Sequence, residues 1–167
     1  MPGKDKLEDK SRQGRLRHYN DAAMSYHART SLLFHCVFST KNRLPSIVAE
    51  IQPRLWSYIG GVARTNNMKA LAVGGISDHA HVLLSLPPTM GIAKAIQLLK
   101  SGSSKWMHKE IGLRSFDWQE GYGAFTIGVS QIPTTVRYIL NQPKHHAKTS
   151  FADEWKLIVE RHGLESD

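Results

Sequence analysis

Two histidines separated by a single residue share a metal ion readily if the chain between them is extended. In Asp78-His-Ala-His81, side chains at i and i+2 of a strand point the same way. His79 and His81 then stand on one face with Leu83 and Ser85, while Ala80, Val82, Leu84 and Leu86 face a core. Two neutral imidazoles a few ångströms apart on the open side of a sheet chelate a metal ion. Two solvated histidines on a half-exposed strand carry the same pattern, and the spacing alone does not separate these readings.

The segment Pro133-Thr-Thr-Val-Arg-Tyr-Ile-Leu-Asn-Gln-Pro-Lys-His-His146 supplies different chemistry. It reads as a helix with Pro133 at a first-turn position, where proline is tolerated. At about 100° per residue, Val136, Ile139, Leu140 and Ala147 make the buried side. Tyr138, Gln142 and His145 fall opposite, with Gln142 one turn beyond Tyr138. Pro143 should kink or end the helix just after Gln142. A phenol, with pKa near ~10, is a poor nucleophile at neutral pH. A metal that polarises a phosphate and orients it in line makes up much of that deficit. Attack by Tyr138 would give a phosphotyrosine and free a hydroxyl, keeping the bond energy for rejoining, and the Gln142 amide could join the metal. A surface tyrosine with a solvated polar neighbour is the alternative.

Composition narrows the partners. The formal net charge is +8, with a pI near 9.7, and excess Lys and Arg neutralise phosphates and release counterions. The single cysteine, Cys36, excludes an internal disulfide and a thiolate zinc cluster, and its apolar surroundings predict an inert buried thiol. No apolar run approaches the roughly 18–20 residues of a membrane span. The first residues lack the apolar core of a signal peptide, so the cytoplasm is the expected compartment. Neither a Walker A sequence nor a Rossmann fingerprint is present, so no nucleotide cofactor is expected.

The elements that must position these residues follow from periodicity. Residues 1–25 are polar and aperiodic and read as a flexible extension, with Met24 as an alternative start; residues 26–167 read as a single domain. Leu32 to Thr40 alternates Phe34, Cys36 and Phe38 onto one face, leaving His35 and Val37 on the other. Ile47, Ile51, Leu55, Ile59 and Val62 recur at helical spacing. Met68 to Ile76 and His79 to Leu86 form a hairpin about Ser77-Asp78. A helix begins near Gly91, a strand covers Ala124 to Val129 after the Gly121-Tyr-Gly123 turn, and a last helix spans about Phe151 to His162. The order β-α-β-β-α-β-α-α predicts an α+β, ferredoxin-like or RRM-like split βαβ fold. One antiparallel sheet should carry helices on one face and leave the other free for a metal and DNA. Lys94, Ser101, Lys105 and Lys109 share one helix face and could track phosphates, or be a solvated surface; Lys41 and Arg43 form a second basic cluster.

These residues resemble the single-tyrosine HUH transposases of the IS200-like insertion sequences. The resemblance spans about Leu32 to Trp155, through His35-Cys-Val-Phe-Ser-Thr-Lys41, Gly75-Ile-Ser-Asp-His-Ala-His81, Trp118-Gln-Glu-Gly-Tyr-Gly-Ala-Phe125 and Tyr138-Ile-Leu-Asn-Gln-Pro-Lys-His-His146. It implies that His79, His81 and Gln142 bind Mg2+ or Mn2+ and that Tyr138 attacks DNA. It further implies a homodimer, in which the tyrosine helix of one subunit can complete the other's site. The substrate it implies is single-stranded DNA with hairpin ends. Ala80 departs from the bulky hydrophobic residue the motif carries between its histidines, at a position that faces the core. A domesticated relative acting on repeated palindromes shares these motifs. The rival readings are a non-catalytic RRM-like module that binds single strands and a metal-dependent nuclease that uses water. A replication initiator or relaxase shares the HUH chemistry but is usually a longer chain.

Overall fold

Alternation of apolar residues builds the sheet, and four segments join it in the computed structural model, which describes residues 29–164. The extension expected at residues 1–25 lies outside the described residues. In chain order the elements are β1 (Leu33–Ser39), α1 (Gln52–Thr65), β2 (Lys69–Gly75), β3 (His79–Ser85), α2 (Ile92–Lys109), β4 (Gly123–Thr126), α3 (Ile132–Leu140), α4 (Gln142–His146) and α5 (Phe151–Arg161). The sheet order is β2-β3-β1-β4 with every neighbour antiparallel. This is the expected split βαβ arrangement.

One face of the sheet carries the main core. Cys36, Phe38, Ala80, Val82 and Leu84 pack against Leu55, Ile59 and Ala63 of α1 and against Ile96, Leu99 and Met107 of α2. Full burial of a Leu or Ile side chain contributes roughly 1.5–3 kcal/mol, so these two helices hold the sheet firmly. Cys36 is fully buried, and burial pushes its thiol up to about 12, as an inert core cysteine requires.

Three element boundaries differ from the periodicity. α1 begins at Gln52, with Pro53 in its first turn, although Ile47 is buried from the preceding loop. β4 ends at Thr126, because Gly128 and Gln131 bond one another and turn the chain. α3 ends at Leu140, since Asn141 leaves the helical region (φ −96°, ψ 12°), and Pro143 starts α4 instead of breaking a continuous helix.

The second sheet face is covered, contrary to the expectation of a free face. Val37, Phe125, Ile158 and Val159 pack with Phe151 and Trp155 of α5. Ala72, Leu83 and Ile139 form a further cluster with Ile132, Val136 and Tyr138 of α3. α5 is amphipathic, and its apolar stripe needs a surface to bury; the histidine face is that surface. α3 comes close because Gly74 has no side chain: a Cβ there would collide with the Ile139 carbonyl.

Candidate active site

β3 places His79 and His81 on the second face, as alternation predicts, but α3–α5 bury both completely. They are not the exposed pair expected of an open sheet. The axis break at Asn141 changes the other half of the site. Helical periodicity carried through Asn141 puts Leu140 and Ala147 inside and Gln142 outside. The structure reverses this: Leu140 is 62% exposed, Ala147 is exposed and Gln142 is fully buried. Tyr138 points inward, its ring 5.8 Å from His81, 5.9 Å from His35 and 5.3 Å from His145. Tyr138, Gln142, His79 and His81 of a single chain therefore meet at one point, the tyrosine beside its own chain's imidazoles.

Glu154 of α5 stands at the centre of the cluster, 1% exposed. The Tyr138 hydroxyl donates to its Oε1, as does Gln142 Nε2 at 2.8 Å. His146 Nε2 lies 2.9 Å from Oε2, with His81 Nε2 at 3.5 Å and His79 Nε2 at 3.6 Å. Burial alone would raise this carboxyl. The nearby His81 imidazole and the hydrogen bonds from Tyr138 and Gln142 reverse that, so Glu154 is held well below the usual carboxylate range and stays ionised. Burial, and then the bond to and charge of Glu154, push the Tyr138 phenol above its ordinary value. In this arrangement the phenol keeps its proton.

Each motif histidine is oriented through its other nitrogen, a device that fixes tautomer and ring direction in metal sites. Asp78 Oδ1 holds His79 Nδ1 at 2.7 Å, and His35 Nε2 holds His81 Nδ1 at 2.9 Å. Burial would raise the Asp78 carboxyl, but the hydrogen bond with His79 and further favourable interactions, a backbone hydrogen bond among them, together outweigh it and leave Asp78 lowered. Burial pulls His81 down to about 4 and His35 to about 3, so both rings are neutral near pH 7.

The donor set fits a metal ion. His81 Nε2 is buried and has no hydrogen-bond partner. His79, with its Nδ1 proton given to Asp78, turns a lone pair toward Gln142 Oε1 at 3.2 Å, and that oxygen is also an acceptor. Acceptors converging in a dry interior are costly unless a cation lies among them. His79, His81, His146 and Glu154 each offer one ligand atom within 4.8 Å of the others.

The basic residues fall in two places. Lys41 and Arg43 lie in a short turn after β1, with Arg43 above the Phe151 ring on the side of the site. Lys94, Lys105 and Lys109 are exposed on α2, in the layer on the opposite face of the sheet. Sequence reasoning missed three residues that complete the cluster, Glu154, His146 and Asp78, while the alternation of β1 sets His35 only at the border of the site. Glu154 had a signal, because it interrupts the apolar stripe Phe151, Trp155, Ile158 of an amphipathic helix. His146 had none beyond its residue type, since the turn at Asn141 decides its direction.

Comparison with known proteins bears on the family and the fold. A family model described as "Transposase IS200 like" matches residues 28–142. Transposases of insertion sequence IS200 from Salmonella typhimurium and Salmonella typhi are each 26% identical over 126 residues, covering 71% of this chain and 83% of theirs. A crystal structure assigned as a transposase of Deinococcus radiodurans superposes with a TM-score of 0.57 at 22% identity, over 72% of this chain and 97% of that one. A REP-associated tyrosine transposase bound to a REP hairpin superposes with a TM-score of 0.54 at 19% identity, over 75% of this chain and 76% of that one. At those identities the two structures establish the fold. Among the described residues, no helix is long and apolar enough to cross a membrane.

Proposed function

The chain belongs to the IS200-like transposase family, and on that footing we propose that it cuts and rejoins single-stranded DNA with Tyr138 as the nucleophile. The observation that carries the reading is the convergence of Tyr138, His79, His81, Gln142 and Glu154 of one chain on a single buried point. A non-catalytic strand-binding module has no use for such a point.

His79 Nε2, His81 Nε2, the Gln142 amide oxygen and Glu154 Oε2 would hold a divalent ion, with His146 beside them. When bound, such an ion polarises the scissile phosphate and offsets the high pKa of the phenol. Mg2+ and Mn2+ both suit oxygen donors, and two or more imidazole nitrogens favour Mn2+ of the two. Tyr138 Oη attacks phosphorus and forms the Oη–P bond. The P–O bond to the neighbouring deoxyribose breaks, and that oxygen leaves as a hydroxyl after taking a proton. Glu154 Oε1, already accepting the phenol's hydrogen bond, is placed to take the proton Oη gives up. Attack of a strand hydroxyl on the phosphotyrosine reverses these changes and returns the proton to Oη. A DNA substrate supports a cytoplasmic location.

The deciding experiment incubates the protein with labelled single-stranded hairpin ends and Mn2+ or Mg2+, then looks for a protein–DNA adduct by denaturing electrophoresis. The hairpin bound by the REP-associated neighbour supports hairpin DNA as the substrate form. Cleavage without an adduct would favour a nuclease that uses water.

The family resemblance supports a homodimer, and the geometry of one chain favours a tyrosine acting in cis. Mixing Tyr138→Phe with a His79→Ala, His81→Ala double variant should therefore restore no cleavage, since no subunit holds both halves. Recovery of a substantial fraction of wild-type cleavage in the mixture would show that α3 is exchanged between subunits.

Charge should govern affinity. Binding to a single strand should fall steeply as salt rises. Neutralising Lys41 and Arg43 together should lower the slope of log affinity against log salt by about 1 to 2. Neutralising Lys94 and Lys105 should do less, because that ridge lies across the sheet and reaches only flanking DNA. Titration by fluorescence anisotropy at several salt concentrations separates the pairs, and equal slopes in all variants would remove both clusters from the interface.

A further inference from the structure

The segment Trp118-Gln-Glu-Gly-Tyr-Gly-Ala-Phe125 carries part of the family resemblance, and Phe125, the cross-strand partner of His35, borders the histidine cluster. The segment also builds one wall of a separate cavity. This cavity, of about 500 Å³, opens between the end of β1, the loop before β4 and the first turns of α5, and Arg43, Glu120, Tyr122, Phe151, Trp155 and Lys156 line it. Its volume lies in the range of about 300–1,000 Å³ that small-ligand pockets occupy.

The walls are held in place. Trp155 packs closely against Gly123, where a Cβ would stand 2.7 Å from the indole. Phe151 and Trp155 are stacked, with centroids 6.2 Å apart and planes at 29°. Lys100 of α2 donates to the carbonyls of Gln119 (2.6 Å) and Gly121 (2.9 Å), tying down the loop that presents Tyr122. Tyr122 remains 39% exposed, a large ring with a face turned to solvent. On the opposite rim, Asn42 and Arg43 both take positive φ (56° and 53°), which costs energy for residues other than glycine. The turn is retained by bonds from Lys41 N–H to the Asp117 carbonyl and from Asn42 N–H to Gln119 Oε1. It carries Arg43 over the Phe151 ring at 5.7 Å.

One wall is shared with the catalytic cluster. The Phe151 ring that faces this cavity packs on His79 with a centroid separation of 4.6 Å. A strand with a phosphate at His79 and His81 would then have the cavity one ring away, within reach of a neighbouring nucleotide. Aromatic faces with a cationic rim are what unpaired bases and their phosphates take: the base stacks, and Arg or Lys meets the backbone.

We propose that this cavity receives an unpaired nucleobase of single-stranded DNA adjacent to the scissile phosphate, stacked on Tyr122 and Trp155, with its phosphate on Arg43 and Lys156. The site deepens the proposed function and rests on it for the placement of the strand. Tyr122 is then a base-stacking residue and not a second nucleophile.

The test uses the full chain in EDTA, so that binding is read apart from cleavage. Affinity is measured for oligothymidylate and for an abasic deoxyribose-phosphate strand of equal length, which carries the same charge without bases. Wild type should prefer the base-bearing strand by about tenfold, the scale of one stacked base. Tyr122→Ala should bring that ratio close to one, and Tyr122→Phe should restore it. Trp155→Leu, with folding checked by thermal unfolding, should act as Tyr122→Ala does. A ratio unchanged in both Tyr122→Ala and Trp155→Leu overturns the site, as does a wild-type ratio near one. Adduct formation with Mn2+ or Mg2+ reads the proposed function separately. A base preference without any adduct removes the catalysis and keeps the cavity, and an adduct without base preference does the reverse.

Discussion

Tyr138→Phe is expected to abolish the covalent adduct and to lower cleavage by on the order of 10³-fold or more, because the nucleophilic oxygen has no substitute. The fold should survive the change. The ring, packed at right angles to His35 and His81, is kept, and only the hydroxyl is removed. Glu154 loses one donor but keeps Gln142 Nε2 and His146 Nε2, so the buried carboxylate is not stranded. Binding to single-stranded DNA should change by less than about twofold, since a phenol hydroxyl adds little to an affinity set by phosphates and stacking. Denaturing electrophoresis reads the adduct, anisotropy reads the binding, and Tyr58→Phe, on α1 across the sheet, serves as the control that keeps full activity. An adduct that survives in Tyr138→Phe and disappears in Tyr122→Phe would transfer the nucleophile to the other tyrosine.

Most of the fold was legible because its signals are local. Strand alternation in Leu33–Ser39 and His79–Ser85 assigns each side chain to a face without reference to anything distant, and it assigned His79 and His81 to the same one. What covers that face was not legible in the same way. The stripe of Phe151, Trp155, Ile158 and Val159 shows that α5 buries a side, but not which of two sheet faces receives it. Tyr138 and Gln142 meet, both on Glu154 Oε1, although periodicity sets them opposite a buried side of which Val136 and Ile139 are inside and Leu140 and Ala147 are not. A single non-helical residue, Asn141, resets the rotational phase between α3 and α4. Periodicity carried across it places Ala147 in the core and Gln142 in solvent, and neither is there, while Leu140, the last residue of α3, already faces solvent before the break. Glu154 escaped because ionised residues are rarely fully buried without partners, and its partners come from β3, α3 and α4, which sequence order does not bring together.

That burial changes the result expected when the metal ligands are removed. Histidines on an open face could be replaced at no cost to the fold, whereas His79 and His81 are fully buried beneath α3–α5. A His79→Ala, His81→Ala double variant should lose all metal-dependent cleavage and also lose stability, by roughly 2–5 kcal/mol. Two cavities open in the site, and Asp78 and His35 lose their ring partners. Loss of activity in this variant alone is therefore ambiguous, and the metal itself must be read. Mn2+ at about a hundred times its Kd should stabilise the wild type by about 2.7 kcal/mol through mass action, seen as a rise in Tm that EDTA removes. The double variant should show no such rise at the same concentration. His81→Gln, which keeps most of the volume, should fold nearly as well as wild type yet lose most of the metal-dependent shift. An equal shift in wild type and both variants would place the ion elsewhere, and cleavage undiminished by EDTA would remove the metal from the reaction.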